Sequence, residues 1–201
     1  MPSRPIARAA MAAGALTLTI PAVAPGPADA AVVKHKRLHV RVGHKAFVVG
    51  SAVPSGHVWL QVRRRGHWRS LDRDRVTASG RFLLRQRMHR PMSLRARVVG
   101  AGMHRRVGRL NAYRWANASW YGPGLYGNRL ACGGRLEPGT LGVAHKTLPC
   151  GSKVSLRHGR RTVRVRVIDR GPYVGGREFD LTEATAARLR FHGHGAILTT
   201  R

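Results

Sequence analysis

Asp169 is the residue whose type and setting point most directly to acid–base chemistry. Val163, Val165 and Val167 alternate with Arg164 and Arg166, the period-two pattern of a strand with one buried and one solvated face. Asp169 shares the parity of the valines. A strand that continues to this point brings its carboxyl out at the end of the apolar face, beside the turn signalled by Gly171-Pro172. Desolvation there favours the protonated acid, and Arg170 or Arg177 nearby opposes it. A carboxyl poised between those pulls can give up a proton and take it back, which is what general acid–base catalysis requires. The alternative is a structural Asp that satisfies backbone donors of its own turn.

The other candidates carry similar pairs of readings. His145 follows small residues and is either a site imidazole or a hydrogen-bonded core histidine. Glu137, within Arg135-Leu136-Glu137-Pro138, is a second carboxyl near the site or a solvated surface residue. Trp120 and Tyr121 suit a platform for a sugar ring, one of them serving the core and Tyr121 the better candidate for a cleft. Arg170 and Tyr173, on either side of Gly171-Pro172, complete the expected substrate contacts. Asp180-x-x-Glu183 ahead of Ala184 to Leu189 reads as a capping box that opens a short helix. His192-x-His194 has metal-like spacing without a third ligand, so no metal and no cofactor is expected.

These residues fall into short motifs in a fixed order: Ser119-Trp120-Tyr121-Gly122, Ala144-His145, Leu148-Pro149-x-Gly151, Asp169-Arg170-Gly171-Pro172 and Phe179-Asp180-Leu181-Thr182. Together they resemble the rare lipoprotein A (RlpA) family, in the secreted form of actinobacterial type. The resemblance implies a six-stranded double-psi β-barrel over about the last 85 residues. It also implies a lytic transglycosylase that cleaves the MurNAc to GlcNAc β-1,4 bond of peptidoglycan and leaves anhydro-muramyl ends. In that reaction one carboxyl serves as acid and then base, and the muramic acid C6 hydroxyl is the internal nucleophile. By the same resemblance Asp169 stands at the catalytic aspartate and His145 at its partner histidine. Glu137 stands where many members have Asp. Two other readings use the same barrel: an inverting hydrolase with a Glu137/Asp169 pair, and a non-catalytic, expansin-like wall binder.

The elements that hold these residues begin with an export signature. Arg4 and Arg8, an uncharged stretch from Ala9 to Ala24 and the small-x-small Ala28-Asp29-Ala30 read as a secretory signal over residues 1–30. No later run of apolar residues is long enough to span a bilayer, so no transmembrane anchor is expected and the protein is read as extracellular and associated with the cell wall. In an oxidising compartment Cys132 and Cys150, the only two thiols, are expected to form one disulfide.

With 37 Lys and Arg against eight Asp and Glu, the chain carries a net charge of +29, a field that holds anionic polymers near it and weakens with salt. The equally weighted alternative is a set of solvated charges that reflect arginine-rich composition. No zinc-finger, helix-turn-helix or RNA-binding motif is present, which argues against sequence-specific nucleic-acid recognition. Residues 31–112 have Asp72 and Asp74 as their only acids. Val58, Leu60 and Val62 alternate there, as do Leu94, Ala96 and Val98, with Gly66 and Ser79-Gly80 marking turns. That pattern predicts a basic immunoglobulin-like β-sandwich over 31–112, followed by the barrel over 113–201. The expected partners are peptidoglycan glycan strands, with anionic wall polymers held by the basic module. Trp59 and Trp68 are read as core or as a sugar-stacking face.

Overall fold

A computed structural model describes residues 31–201, and the signal segment read over residues 1–30 lies outside the described residues. Alternating apolar residues build most of the strands. In order these are β1 (Val32–Arg37), β2 (His39–Arg41), β3 (Lys45–Ser51), β4 (His57–Arg64), β5 (His67–Arg75), β6 (Arg81–Arg87), β7 (Met92–Gly100) and β8 (Met103–Tyr121). There follow β9 (Val143–His145), β10 (Lys153–His158), β11 (Arg161–Asp169), β12 (Phe179–Thr182), the helix α1 (Glu183–Leu189) and β13 (Gly195–Thr199).

The amino-terminal part is a sandwich. One sheet has the order β1-β3-β6; the other runs β5-β4-β7-β8, with β2 added parallel to β8. Val48, Val58, Leu60, Leu84, Val98 and Leu110 are fully buried between them, each on the inward parity of its strand. Asp72 and Asp74 do not point to solvent alone. Their carboxylates accept the backbone N–H of Arg85 and of Leu83, both at 2.7 Å, so the acids of β5 clip the edge of β6 and join the two sheets.

β8 serves both halves of the molecule. Met103 to Ala112 pairs with β7, Arg114 to Ala118 with β13, and Ala118 to Tyr121 runs parallel to β12. The second core begins at Ala116 and collects Val143, Val154, Leu156, Val167, Phe179, Leu181 and Ile197. Its six strands run β12-β9-β11-β10-β13-β8, and the β8–β12 pairing closes the ring into a barrel. Two of the pairings are parallel, β9 with β11 and β8 with β12. Closure leaves no sheet edge there. The fold class is therefore all-β with a closed six-stranded carboxy-terminal barrel, as the sequence predicts.

Two local expectations are corrected. The short helix forms where expected, but its cap is Thr182, whose Oγ1 accepts the Thr185 N–H at 3.4 Å. Asp180 is not a cap, because it stays in β12, paired with Ala144 on one side and Ser119 on the other. The valine parity of β11 also does not carry through to Asp169. A register shift between Val167 and Asp169 sets Val167 opposite Val143 but Asp169 opposite Ala144. The extra residue, Ile168, lies over Gly142, where a Cβ would fall 2.2 Å from its Cδ1. Only glycine leaves the space that Ile168 fills, and the bulge turns Asp169 away from the face of the valines.

Candidate active site

The bulge gathers Asp169, Asp180, Tyr121 and Ser119 around Ala144. Asp169 on β11 and Asp180 on β12 both pair with Ala144 of the strand between them. Cross-strand partners share a face of the pleat, so the two carboxyls leave the sheet on the same side. The Asp169 Oδ1 accepts the Ala131 N–H at 2.8 Å and the Arg170 N–H at 2.9 Å. The first bond tethers the turn at Leu130 to Gly134, and the second is the self-turn use foreseen as the structural alternative. Its other oxygen makes no hydrogen bond of good geometry among the described residues.

Asp180 accepts the Ser119 hydroxyl at 2.8 Å. Burial pushes its pKa above the ordinary carboxylate value of 3.8; the Ser119 bond and Arg177 pull the other way, and Asp169 adds to the rise. The Tyr121 hydroxyl is buried and has no hydrogen-bond partner of acceptable geometry among the described residues. It faces the same carboxylates: burial first, then Asp169 and Asp180, push its pKa well above the ordinary phenol range. Tyr121 thus keeps its proton and can act only as a donor or neutral acceptor. Neighbouring Trp120 alternates outward, with 36 % of its surface exposed.

His145 belongs to a second group. It follows Ala144 directly and so points to the opposite face, where it pairs with Phe179 and its ring lies 4.9 Å from the Phe179 ring. Its Nδ1 accepts the N–H groups of Thr147 and Leu148 at 3.1 and 3.0 Å. Two donors aimed at Nδ1 fix the tautomer with hydrogen on Nε2, and that nitrogen lies 3.7 Å from the Glu178 carboxylate. Burial lowers the His145 pKa, and Glu178 opposes the fall. Glu178 is itself held by the Arg114 guanidinium, with one bond of 2.8 Å. The resulting chain Arg114–Glu178–His145 was not read from the sequence. Nothing in local pattern could show it, because β8, β9 and the segment before β12 meet only when the barrel closes.

The remaining expected residues are placed as follows. Arg170 turns back onto its own chain: its Nη1 donates to the carbonyls of His145 and Leu148 at 3.3 and 3.0 Å, and its Nη2 lies 3.2 Å from the Cys150 sulfur. Tyr173 projects into solvent with 83 % exposure. Glu137 is exposed in the loop between β8 and β9, and its backbone N–H is capped by Thr140 Oγ1 at 3.0 Å. Among the described residues no hydrogen bond joins it to Asp169 and no ion pair joins it to His145. The Cys132–Cys150 disulfide is present and ties the Gly133-Gly134 turn to the segment after Leu148-Pro149. Around Asp169 the loops are therefore held by the disulfide, by Arg170 and by Asp169 itself.

A family model described as lytic transglycolase matches residues 115–199. Over 81 residues the chain is 47 % identical to the probable endolytic peptidoglycan transglycosylase RlpA of Synechocystis sp., a match that covers 39 % of this chain and 25 % of the relative. It is 43 % identical over 74 residues to the endolytic peptidoglycan transglycosylase RlpA of Campylobacter jejuni, covering 36 % and 27 %. The chain thus spans about a quarter of the length of these curated relatives. Among solved structures, the Streptomyces papain inhibitor is 24 % identical with a TM-score of 0.35, covering 43 % of this chain and 90 % of its own. Motif order, barrel closure and the family match agree: the carboxy-terminal barrel of this chain is an RlpA-like double-psi β-barrel.

Proposed function

We propose that the protein is a secreted lytic transglycosylase acting on peptidoglycan glycan strands. The observation that carries this reading is the pairing of Asp169 and Asp180 on either side of Ala144, with the buried Tyr121 hydroxyl close to both carboxylates. The relatives named for this activity match the same segment. In the reaction a carboxylic acid of the pair donates its proton to the glycosidic O4 as the bond from the MurNAc C1 breaks. The C6 hydroxyl of the same sugar then closes on C1, and its proton returns to the carboxylate. No water is consumed and the carboxyl group is regenerated, so one acid–base centre suffices.

Asp169 supplies the acid–base oxygen at the mouth of the site. Asp180, whose pKa burial raises, stands beside it as the second carboxyl of the site. Trp120 and Tyr173 offer exposed rings on which sugars can stack, and Glu137 stays exposed in the loop before β9. His145 acts by position: it organises the turn at Thr147 and Leu148 and carries the Glu178–Arg114 pair. In this reading residues 31–112 are an immunoglobulin-like spacer or docking module, residues 113–201 are the catalytic domain, and residues 1–30 direct export.

One observation favours a second reading. Asp169 and Asp180 stand on strands two spacings apart, on either side of Ala144, an arrangement compatible with the water that an inverting glycosidase admits between its two carboxyls. An inverting hydrolase would then use this pair in place of Glu137 and Asp169. Mass spectrometry of stripped glycan strands after incubation decides between them. Anhydro-muramyl ends support the transglycosylase, reducing ends the hydrolase, and no new ends a wall binder.

A further inference from the structure

A cavity of about 580 Å³ lies at the seam between the sandwich and the barrel, away from Asp169 and His145. Arg64, Arg69 and Arg90 line it from the sandwich, and Lys153, Arg164 and Arg201 from the barrel. No acid lines it. Among the described residues the only ion pairs within 4.0 Å are those of Glu178, so none of these six cations has a carboxylate partner. The seam itself is fixed by a hydrogen bond of 3.1 Å between the hydroxyls of Ser93 on β7 and Ser155 on β10.

The strand registers concentrate the charge around this cavity. Lys153 stands directly opposite Arg166 on the outer face of β10 and β11, and Arg95 directly opposite Arg109 on β7 and β8. Like charges placed opposite one another destabilise a sheet. The Arg164 pKa is lowered by burial and then by Arg166, Arg95 and Arg201, and that of Arg109 by burial and then by Arg164 and Arg95. The repulsion crosses the seam, with Arg95 and Arg109 on one lobe and Arg164 on the other. An anion bound there would relieve it.

We propose that this seam cleft binds a single flexible polyol-phosphate chain and so holds the protein on a phosphodiester-bearing polymer, by contacts separate from the barrel's carboxylates. Guanidinium forks match phosphate oxygens in pairs. Val62, Leu71 and Met92 form an apolar floor on which a polyol's carbon backbone can rest. Nucleic acid would offer the same phosphodiester chemistry, but single strands are held through bases stacked on aromatic side chains, and no aromatic residue lines this cavity. The site is built from both lobes, so it differs from a diffuse attraction to the basic module, and it stands whether or not the barrel cleaves glycan.

The test is calorimetric titration of the full chain with a poly(glycerol phosphate) oligomer at several salt concentrations. A cleft variant, Lys153→Gln with Arg164→Gln and Arg201→Gln, is compared with Arg81→Gln, Arg85→Gln and Arg188→Gln, which remove equal charge from exposed positions elsewhere. The cleft variant is expected to bind at least about tenfold more weakly, and its slope of log K against log salt to flatten by about 2, at about 0.7 per lost contact. The surface variant is expected to change affinity by less than about twofold. Without ligand the cleft variant is expected to melt no lower than the parent, because repulsion is removed, which separates lost binding from lost folding. Equal loss in both variants, or no binding by the parent, would overturn the proposal. So would tighter cleft-dependent binding of a single-stranded oligonucleotide or of a phosphate-free polyuronate.

Discussion

Asp169 and Asp180 meet the same residue, Ala144, from opposite sides, and they do so because β11 bulges at Ile168. Without the bulge Asp169 would stand opposite His145, on the face of Val167 and Phe179. With it, the carboxyl joins Asp180, Ser119 and Tyr121. The chemistry of the site thus depends on one extra residue in one strand, and that residue is accommodated by Gly142.

Asp180 makes stability depend on pH. Its folded-state pKa is raised above the ordinary 3.8, chiefly by burial, so the folded protein binds more protons than the unfolded chain between those two values. Stability contributed by this group therefore falls as pH rises through that window and stays low above it. Asp180→Asn is expected to remove this component: the melting temperature of the variant relative to the parent should rise from about pH 4 toward neutrality. Melting curves measured across that range check it, and a constant difference would count against an Asp180 whose pKa is raised by burial.

His145 gives the opposite sign. Its pKa is lowered from 6.5, chiefly by burial, so as pH falls below 6.5 the unfolded chain takes up a proton that the folded imidazole refuses. Its contribution to stability is present above that value and is lost as pH drops. His145→Ala leaves the N–H groups of Thr147 and Leu148 without their acceptor and is expected to cost about 1–3 kcal/mol. His145→Asn, whose Oδ1 can replace Nδ1, is expected to recover much of that stability and a measurable share of activity. An Asn variant as inactive as Asp169→Asn would show that the imidazole itself takes part in proton transfer.

The disulfide stabilises the loops that surround Asp169. Cys132 and Cys150 are separated by 18 residues. Replacing both by Ser is expected to destabilise the protein by about 3 kcal/mol. Denaturant unfolding in the presence and absence of reductant measures this. Because the Ala131 N–H bond to Asp169 lies next to Cys132, the Ser pair is also expected to lower activity at temperatures well below melting.

Much of the barrel was legible in the sequence, because period-two patterning and the order of short motifs are local signals. Val163, Val165 and Val167 point inward as their parity requires, the helix begins at Glu183, and the two cysteines pair. What was hidden depends on contacts distant in the chain. Parity carried Asp169 one residue too far because the bulge at Ile168 needs room that a distant residue, Gly142 just before β9, leaves open. Asp180 looked like a helix cap because Asp-x-x-Glu is a capping pattern wherever it occurs; the barrel's parallel β8–β12 pairing keeps it in a strand and leaves Thr182 to cap. Glu178 and Arg114 lie 64 residues apart and had no local signature at all.

The most direct test of the central claim is product analysis of stripped glycan strands treated with the parent protein, with Asp169→Asn and with Asp180→Asn. The parent is expected to release fragments with anhydro-muramyl ends, and each Asn variant to do so more slowly by about 10²- to 10⁴-fold, the range for loss of a general acid or base. An unchanged rate of anhydro-end formation in both variants, or fragments ending only in reducing sugars, would contradict a transglycosylase built on the two carboxyls that flank Ala144.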